Sequence, residues 1–329
     1  MNRILVTGGS GFVGRAMVRL LGEMQYPIRA TCRDLVATSP GHNGPRQEWV
    51  HYDLTNEHCD YSRMLDGVET VVHLAGLAHF DQRHAQAPDD IRTVNVGGTA
   101  RLAEESATRG VKRFIFISTV KVHGEKSGQT GEGNPRRFTE RDLPAPADPY
   151  AAAKHEAEEA VRETCRKSSM EYTIFRPPLV YGPGVKANFL RFLGAVYRGI
   201  PLPLASVENL RSLLFVDNLC HAIVTSIGHQ GAANQVYLVK DIDISVPDLV
   251  RTTARLFGKK AMLFPFPVAV LRFAGKCLGK SDVIDRLTGS LVIDDSKLRR
   301  ELRWTPPVSF EDGLRKTVEW YRNAVNGEW

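Results

Sequence analysis

The chain opens on a short apolar run, Ile4-Leu5-Val6, that stops at a glycine cluster. Runs of the same kind return at Ile28–Thr31, Thr70–Leu74 and Phe114–Ser118, and amphipathic stretches such as Gly14–Glu23 and Asn95–Arg109 lie between them. Short apolar runs alternating with helical patterns predict a parallel sheet covered by helices on both faces. Further strands are expected at Tyr172–Arg176 and Gln235–Val239, and a helix over the alanine- and glutamate-rich run Tyr150–Lys167. The second half is richer in proline: Pro177, Pro178, Pro183, Pro201 and Pro203, then Pro265, Pro267, Pro306 and Pro307. That shift predicts a smaller, irregular unit. The expected fold is α/β: a doubly wound parallel sheet of the Rossmann type over residues 1–176 plus 210–240, and a smaller α/β domain of discontinuous segments over 177–209 plus 241–329. The polar segment Lys126–Pro149 is long enough to be a functional flap rather than a simple connector.

Composition narrows the picture. With 329 residues, 43% hydrophobic and 24% charged, the chain has the make-up of an ordinary globular protein with a large core. A net charge of +6 suits an anionic ligand such as a nucleotide diphosphate, but no Lys/Arg block is dense enough to indicate nucleic acid. The cysteines Cys32, Cys59, Cys165, Cys220 and Cys277 are odd in number and form no CxxC pair, so neither a disulfide framework nor a metal site is expected. A reduced, cytoplasmic setting fits. The first strand begins too early to leave room for a signal peptide, and no uncharged apolar run approaches the roughly 20 residues of a membrane span.

Residues 4–14 read I-L-V-T-G-G-S-G-F-V-G. A strand leading into Gly8, Gly9, Ser10, Gly11, Phe12, Val13 and Gly14, with a helix following, is a pyrophosphate cradle. Glycine lets backbone amides approach the phosphates, and the helix N-terminus favours their charge. A tight structural turn is the plainer alternative. The second element is P-Y-A-A-A-K, where Tyr150 and Lys154 lie one helical turn apart on one face. An ammonium beside a phenol is expected to lower the tyrosine pKa towards working pH. Upstream, the apolar run F-I-F-I leads into S-T-V-K-V-H-G, a strand end carrying Ser118, Thr119 and Lys121.

The spacing of Gly8, Gly11 and Gly14 also reads TGxxGxxG. With the Tyr-x-x-x-Lys pair it resembles the short-chain dehydrogenase/reductase superfamily, in its extended, nucleotide-sugar-modifying branch, and the resemblance spans nearly the whole chain. It implies NAD or NADP as cofactor. It also implies an adenine-contacting acid at Asp53-Leu54, a cofactor-side turn at His73-Leu74-Ala75-Gly76, a motif asparagine at Asn95 and a contact at Pro177. For Asp53 and Asn95, helix-capping roles are the plainer readings. NAD-specific members carry an acid at the end of the second strand, bonded to the ribose 2′-OH. Here that strand reads R-A-T-C-R-D, and Arg33 could pair with a 2′-phosphate, which favours NADP. Asp34 keeps NAD open. The resemblance further implies a Thr119–Tyr150–Lys154 triad, with Ser118 as substitute hydroxyl.

The same resemblance bears on the substrate. Sugar 4,6-dehydratases of this branch read Thr-Asp-Glu where this chain reads Thr119-Val120-Lys121. Valine and lysine cannot serve as that acid and base, so dehydration is disfavoured. Asn188, Arg211 and Arg286 resemble nucleotide- or diphosphate-contacting residues, although Leu179 replaces a usual asparagine. Ordinary surface or inter-domain ion pairs are the alternative for the two arginines. The implied substrate is a UDP-linked N-acetylhexosamine of bacterial surface-polysaccharide pathways. The implied reaction is reduction of a 4-keto-6-deoxy sugar at C4, with 4-epimerisation as the alternative and a non-catalytic dinucleotide-binding protein as a third. Lys121 is expected either in a salt bridge to Glu125 or against a substrate oxygen. The resemblance also implies a homodimer formed through the helices near Thr93–Arg109 and Tyr150–Lys167. Finally, Arg272, Lys276 and Lys280 share one face of an otherwise apolar helical segment, Pro267–Lys280. It could lie on an anionic membrane, but the pattern favours a helix packing its apolar side on the core.

Overall fold

The computed structural model describes residues 3–34, 46–56, 59–77, 91–131 and 133–327. Seven strands, β1 (Arg3–Thr7), β2 (Ile28–Cys32), β3 (Gln47–His51), β4 (Val68–His73), β5 (Arg113–Ile117), β6 (Glu171–Arg176) and β9 (Gln235–Leu238), form one sheet in the order β3-β2-β1-β4-β5-β6-β9. Every pairing in it is parallel. Alternate residues of each strand feed opposite faces. Ile4, Val6 and Ile115 join a core beneath helices α1 (Phe12–Glu23) and α6 (Val216–Ser226), whereas Leu5, Phe114 and Phe116 join a second core. That second core packs against α2 (Tyr61–Leu65), α3 (Gly98–Thr108) and α4 (Pro149–Arg166). Burial on both faces is why the inner strands read as continuous apolar runs.

Edge strand β3, Q-E-W-V-H, lacks that signature. It is held partly by charge: the buried Arg29 of β2 pairs with Glu48 and donates to the carbonyls of Met64 and Asp66.

A small sheet in the order β10-β8-β7 sits apart. Strand β7 (Leu179–Tyr181) is parallel to β8 (Arg211–Phe215), and β10 (Ile242–Ile244) is antiparallel to it. Within the segment 210–240, therefore, β8 belongs to the small sheet while α6 and β9 serve the large one. Beyond the small sheet, α11 (Phe310–Asn326) packs on β8 and on α7 (Val246–Leu256), α7 on α5 (Ala187–Tyr197), and α8 (Val268–Cys277) on α9 (Ser281–Thr288), whereas α10 (Ser296–Leu302) packs on β9 of the large sheet.

The expected flap is a pinned strap. Phe138 N–H donates to the Val292 carbonyl, Asp294 N–H to the Phe138 carbonyl and Ala145 N–H to the Val122 carbonyl. Glu140 accepts from Leu238 N–H. Helix α8 meets the core-packed expectation along one edge only: Leu271 and Gly275 are buried and Val268 packs beside them, while its other residues are exposed. The five cysteines are all free. Among the described residues, no helix is long and apolar enough to cross a membrane.

Candidate active site

The glycine turn is built for close approach. Gly8 has φ +67°, and a Cβ there would stand 2.9 Å from the Ala75 backbone; one on Gly14 would stand 2.0 Å from the Gly8 carbonyl oxygen. Gly9 faces the Trp49 ring, and its N–H donates to the Thr31 carbonyl. The Ser10 carbonyl accepts from Arg15, and the Val13 carbonyl faces Cys220 Sγ at 3.9 Å. Phe12 and Val13 open α1, whose N-cap Gly11 makes no side-chain capping bond and whose first turn holds no acid. A bare helix N-terminus behind a turn that excludes side chains fits a pyrophosphate.

The facing turn, Leu74–Gly76, is fixed from behind. The Thr7 hydroxyl accepts from the N–H groups of Leu74 and Ala75 and bonds His73 Nδ1 at 2.7 Å. His73 Nε2 meets the Thr99 hydroxyl at 3.0 Å, and that hydroxyl donates to the Asn95 carbonyl. The relay is consistent with a neutral imidazole, and burial, with help from the Lys154 charge, pushes His73 down to about 3. Asn95 lies in a π-helical turn, Thr93–Gly97, ahead of α3. Its side-chain amide is spent on both backbone groups of Leu77. It thus braces the turn, and, as the helix-start reading expected, it lies in the helical turn that leads into α3.

Asp53 likewise does not cap a helix. It accepts from the Thr55 N–H and hydroxyl, closing a local turn, while the Leu54 carbonyl accepts from Arg101. The Thr55 backbone bond is the main force holding the Asp53 carboxyl below its usual range, and the charge of Arg33 adds to it. Arg33 and Asp34 follow the end of β2 and are both exposed. Arg33 therefore acts electrostatically at the corner where Asp53 lies.

Thr119 ends the β5 run and caps a 3-10 turn, Val120–His123, by accepting from Lys121 N–H at 3.3 Å. Among the described residues its hydroxyl proton has no acceptor, so it can donate to a ligand oxygen. Ser118 is buried near Glu158, and its Oγ makes no hydrogen bond among the described residues. Val120 N–H donates to the Pro177 carbonyl.

Helix α4 starts at Asp148, which accepts from Ala151 N–H at 2.7 Å, and Pro149 fills its first position. Tyr150 is half-buried, and Lys154 is buried with Nζ 4.3 Å from the Phe116 ring centre. A Cβ on Gly76 would lie 3.9 Å from that nitrogen, which places Lys154 beside the Leu74–Gly76 turn. Burial lowers Lys154 to about 8, opposed by Glu158 one turn along the helix.

The tyrosine departs from its expected tuning. Burial first and the Asp148 carboxylate second push Tyr150 up to about 12. In the ligand-free protein the phenol is thus an acid rather than a ready base. Sequence spacing pointed to the lysine four residues on but not to the carboxylate two residues back.

Lys121 Nζ lies 2.5 Å from Glu125 and 2.7 Å from Asp148. The Glu125 salt bridge is present, and the bond to Asp148 ties the Thr119 turn to the head of α4. On the far side, Arg211 opens β8 and reaches the Gly289 carbonyl at 3.5 Å. Burial lowers its pKa; Glu125 opposes this and Arg286 adds to it. Two guanidiniums within electrostatic reach of each other form a site suited to an anion. Arg286 on α9 is exposed, as is Asn188 in the first turn of α5.

Sequence reasoning missed a buried network below this surface. Arg176 at the end of β6 grips Glu158 of α4 with Nε–Oε1 at 2.9 Å and Nη2–Oε2 at 2.5 Å. Arg162 adds a bond at 3.1 Å, and Arg176 Nη1 donates to His123 Nε2 at 2.9 Å. The His123 ring stacks on Phe138 of the strap, and burial lowers it to about 4. Its only advance signal was a glutamate one turn beyond the Tyr-x-x-x-Lys pair.

A parallel sheet with a bare helix N-terminus behind a glycine turn, and a hydroxyl, a phenol and an ammonium beside it, defines a dinucleotide-binding enzyme of the extended short-chain dehydrogenase/reductase kind. The chain belongs to the NAD dependent epimerase/dehydratase family, whose model matches residues 4–239. It is 40% identical to a UDP-glucose 4-epimerase of Vibrio cholerae over 98% of this chain and 96% of that one. It is 30% identical to a dTDP-glucose 4,6-dehydratase of Neisseria meningitidis serogroup B, over 100% of this chain and 98% of that one. Among solved structures, a Thermotoga maritima UDP-glucose 4-epimerase with UDP-glucose superposes with a TM-score of 0.78 at 26% identity, covering 98% of this chain and 99% of that one. A Streptomyces venezuelae dTDP-glucose 4,6-dehydratase with NAD bound gives 0.79 at 27%, covering 99% and 98%.

Proposed function

We propose that the protein is a nucleotide-sugar 4-epimerase acting on a UDP-linked hexose or N-acetylhexosamine. The observation that carries this reading is the 40% identity, along nearly the full length of both chains, to the Vibrio cholerae 4-epimerase. It supports 4-epimerisation over the ketosugar reduction expected from the motifs. A nicotinamide dinucleotide, held by the Gly8–Gly14 turn, the Leu74–Gly76 turn and Lys154, would supply the hydride acceptor and donor and, when oxidised, a positive ring charge near the phenol.

The chain's own residues handle the proton and the placement. Tyr150 Oη takes the proton from the sugar O4 and returns it after the ring has turned over. Thr119 Oγ1 donates to the same oxygen. The Lys154 ammonium sits one turn from the phenol and offsets the unfavourable influence of Asp148 on a phenolate. Arg211 and Arg286 flank the diphosphate, and Asn188 contacts the nucleotide. Dehydration is disfavoured because Val120 and Lys121 stand where a dehydratase needs an acid and a carboxylate base, and Lys121 is engaged by Glu125 and Asp148. A homodimer through α3 and α4, which pack side by side, is part of the same reading.

Incubation with UDP-glucose and with UDP-N-acetylglucosamine, without added reductant, tests it; the C4 epimer should form. No epimer, but stoichiometric consumption of NADPH with a UDP-4-keto-6-deoxy-N-acetylhexosamine, would replace it with the C4-reductase reading. Arg33 favours that second reading, because its placement at the Asp53 corner suits a 2′-phosphate. A tighter Kd for NADPH than for NADH, lost in Arg33→Ala, is its signature.

A further inference from the structure

Six large apolar side chains, Met262, Phe264, Val270, Phe273, Leu278 and Val283, make up half of those exposed among the described residues, and all fall within residues 262–283. Helix α8 is the centre of this stretch. Its buried edge, Leu271, meets Leu204, Val207 and Val246, and Gly275 lets Ile284 of α9 come close: a Cβ there would stand 2.6 Å from Ile284 Cγ1. The two helices thus form a tight hairpin. Val270, Phe273, Ala274 and Cys277, spaced i, i+3, i+4 and i+7, share the opposite face of α8, where an ordinary surface helix is polar. Phe273 is 69% exposed, and Leu278, at the hairpin tip, is 72% exposed.

Charge says what would cover this face. The hairpin itself, residues 268–288, holds Arg272, Lys276, Lys280 and Arg286 against Asp282 and Asp285, a net +2. Protein interfaces are depleted in lysine. Aromatic and aliphatic side chains projecting between lysines and an arginine are instead the signature of a helix lying in an anionic bilayer surface. We propose that the α8–α9 hairpin is a peripheral docking surface for an anionic phospholipid membrane. Phe273 and Leu278 enter the acyl boundary, and Lys276 and Lys280 sit at the headgroups. The hairpin's other side carries Arg286, and Gly289 just beyond it accepts from Arg211. Docking would therefore hold the anion-facing side of the site next to the bilayer. This inference goes beyond the proposed reaction and does not depend on it.

The test is co-sedimentation of the full chain with vesicles of phosphatidylcholine alone and of phosphatidylcholine mixed with phosphatidylglycerol. Binding to the mixed vesicles only, weakening with salt, is expected. Lys276→Gln and Lys280→Gln should each lower the partition coefficient about fivefold. Phe273→Ser with Leu278→Ser should abolish binding while leaving the melting temperature unchanged, since both side chains are exposed. Equal sedimentation with both vesicle types, or undiminished binding by the Phe273→Ser/Leu278→Ser variant, overturns the proposal. So does a dimer in gel filtration that this variant dissolves, which would assign the face to a second copy of the chain.

Discussion

Glu158 is the residue whose removal tests the site's foundation most sharply. It is completely buried, four residues beyond Lys154, and bound at both oxygens by Arg176. Burial pushes its carboxyl up, but the Arg176 bonds and charge outweigh it, so the net pKa lies below the usual value. Truncation to alanine strands a buried guanidinium whose remaining partner is His123. Such a loss is worth about 3–5 kcal/mol, or roughly 5–10 °C in melting temperature for a chain of this size. Lys154 should respond as well. Lowering its pKa from 10.5 to about 8 means that holding the ammonium costs roughly 3 kcal/mol, and Glu158 is the charge opposing that shift. In Glu158→Gln, Lys154 should lose its proton at lower pH than in the parent.

The assays are thermal melts of parent, Glu158→Ala, Glu158→Gln and Glu158→Ala/Arg176→Met, together with pH-dependent amine labelling of Lys154 read by mass spectrometry. A carboxylate with a lowered folded pKa stabilises fully above its unfolded value near 4.5, and that stabilisation is lost as pH falls through the folded value. The gap between parent and Glu158→Ala should therefore be widest near neutrality and close in acid. The double variant should recover much of the loss, since an apolar pair leaves no unpaired charge. Labelling of Lys154 should begin at lower pH in Glu158→Gln. A melting loss under about 1 kcal/mol in Glu158→Ala, small for a buried charge, or an unmoved labelling profile in Glu158→Gln, would refute the reasoning.

Three shorter predictions follow from the same geometry. Tyr150→Phe should lower turnover by about 10²–10⁴ with an unchanged melt, measured by product formation at saturating substrate. Lys121→Ala removes the cation between Glu125 and Asp148 and leaves Asp148 uncompensated near the phenol; Tyr150 should titrate higher than in the parent in an ultraviolet difference spectrum, and turnover should fall. Gly14→Ala puts a Cβ against the Gly8 carbonyl and should abolish dinucleotide binding by calorimetry, with some loss of stability.

The inner strands, the glycine turn and the Tyr150 helix were legible because each is a local pattern: apolar runs, fixed glycine spacing, one helical turn. What escaped was non-local. Strand β3 is an edge strand paired only with β2 and tied to it by the Arg29–Glu48 ion pair, and its residues carry no apolar run. Strands β7 and β10 are only three residues long. Glu158, Arg176 and His123 meet in space from three separate elements, and no spacing rule connects them. Asp148 caps the helix and, second to burial, raises the pKa of the phenol two residues on, which no reading of the sequence singled out. Helix α8 shows the limit of periodicity most directly: an apolar stripe says that a helix has such a face, not that the fold supplies a partner for it.

The strap between Thr119 and Tyr150 is stitched at Phe138 to residues 292 and 294, while its own ends carry the Thr119 turn and the Asp148 cap. The Thr119 hydroxyl and the Tyr150 phenol thus lie at the two ends of one tether whose middle is anchored beside Arg211, which bridges to Leu291. Under the proposed function, a displacement of residues 292–294 on binding a diphosphate beside Arg211 would pass along the strap to both Thr119 and Tyr150.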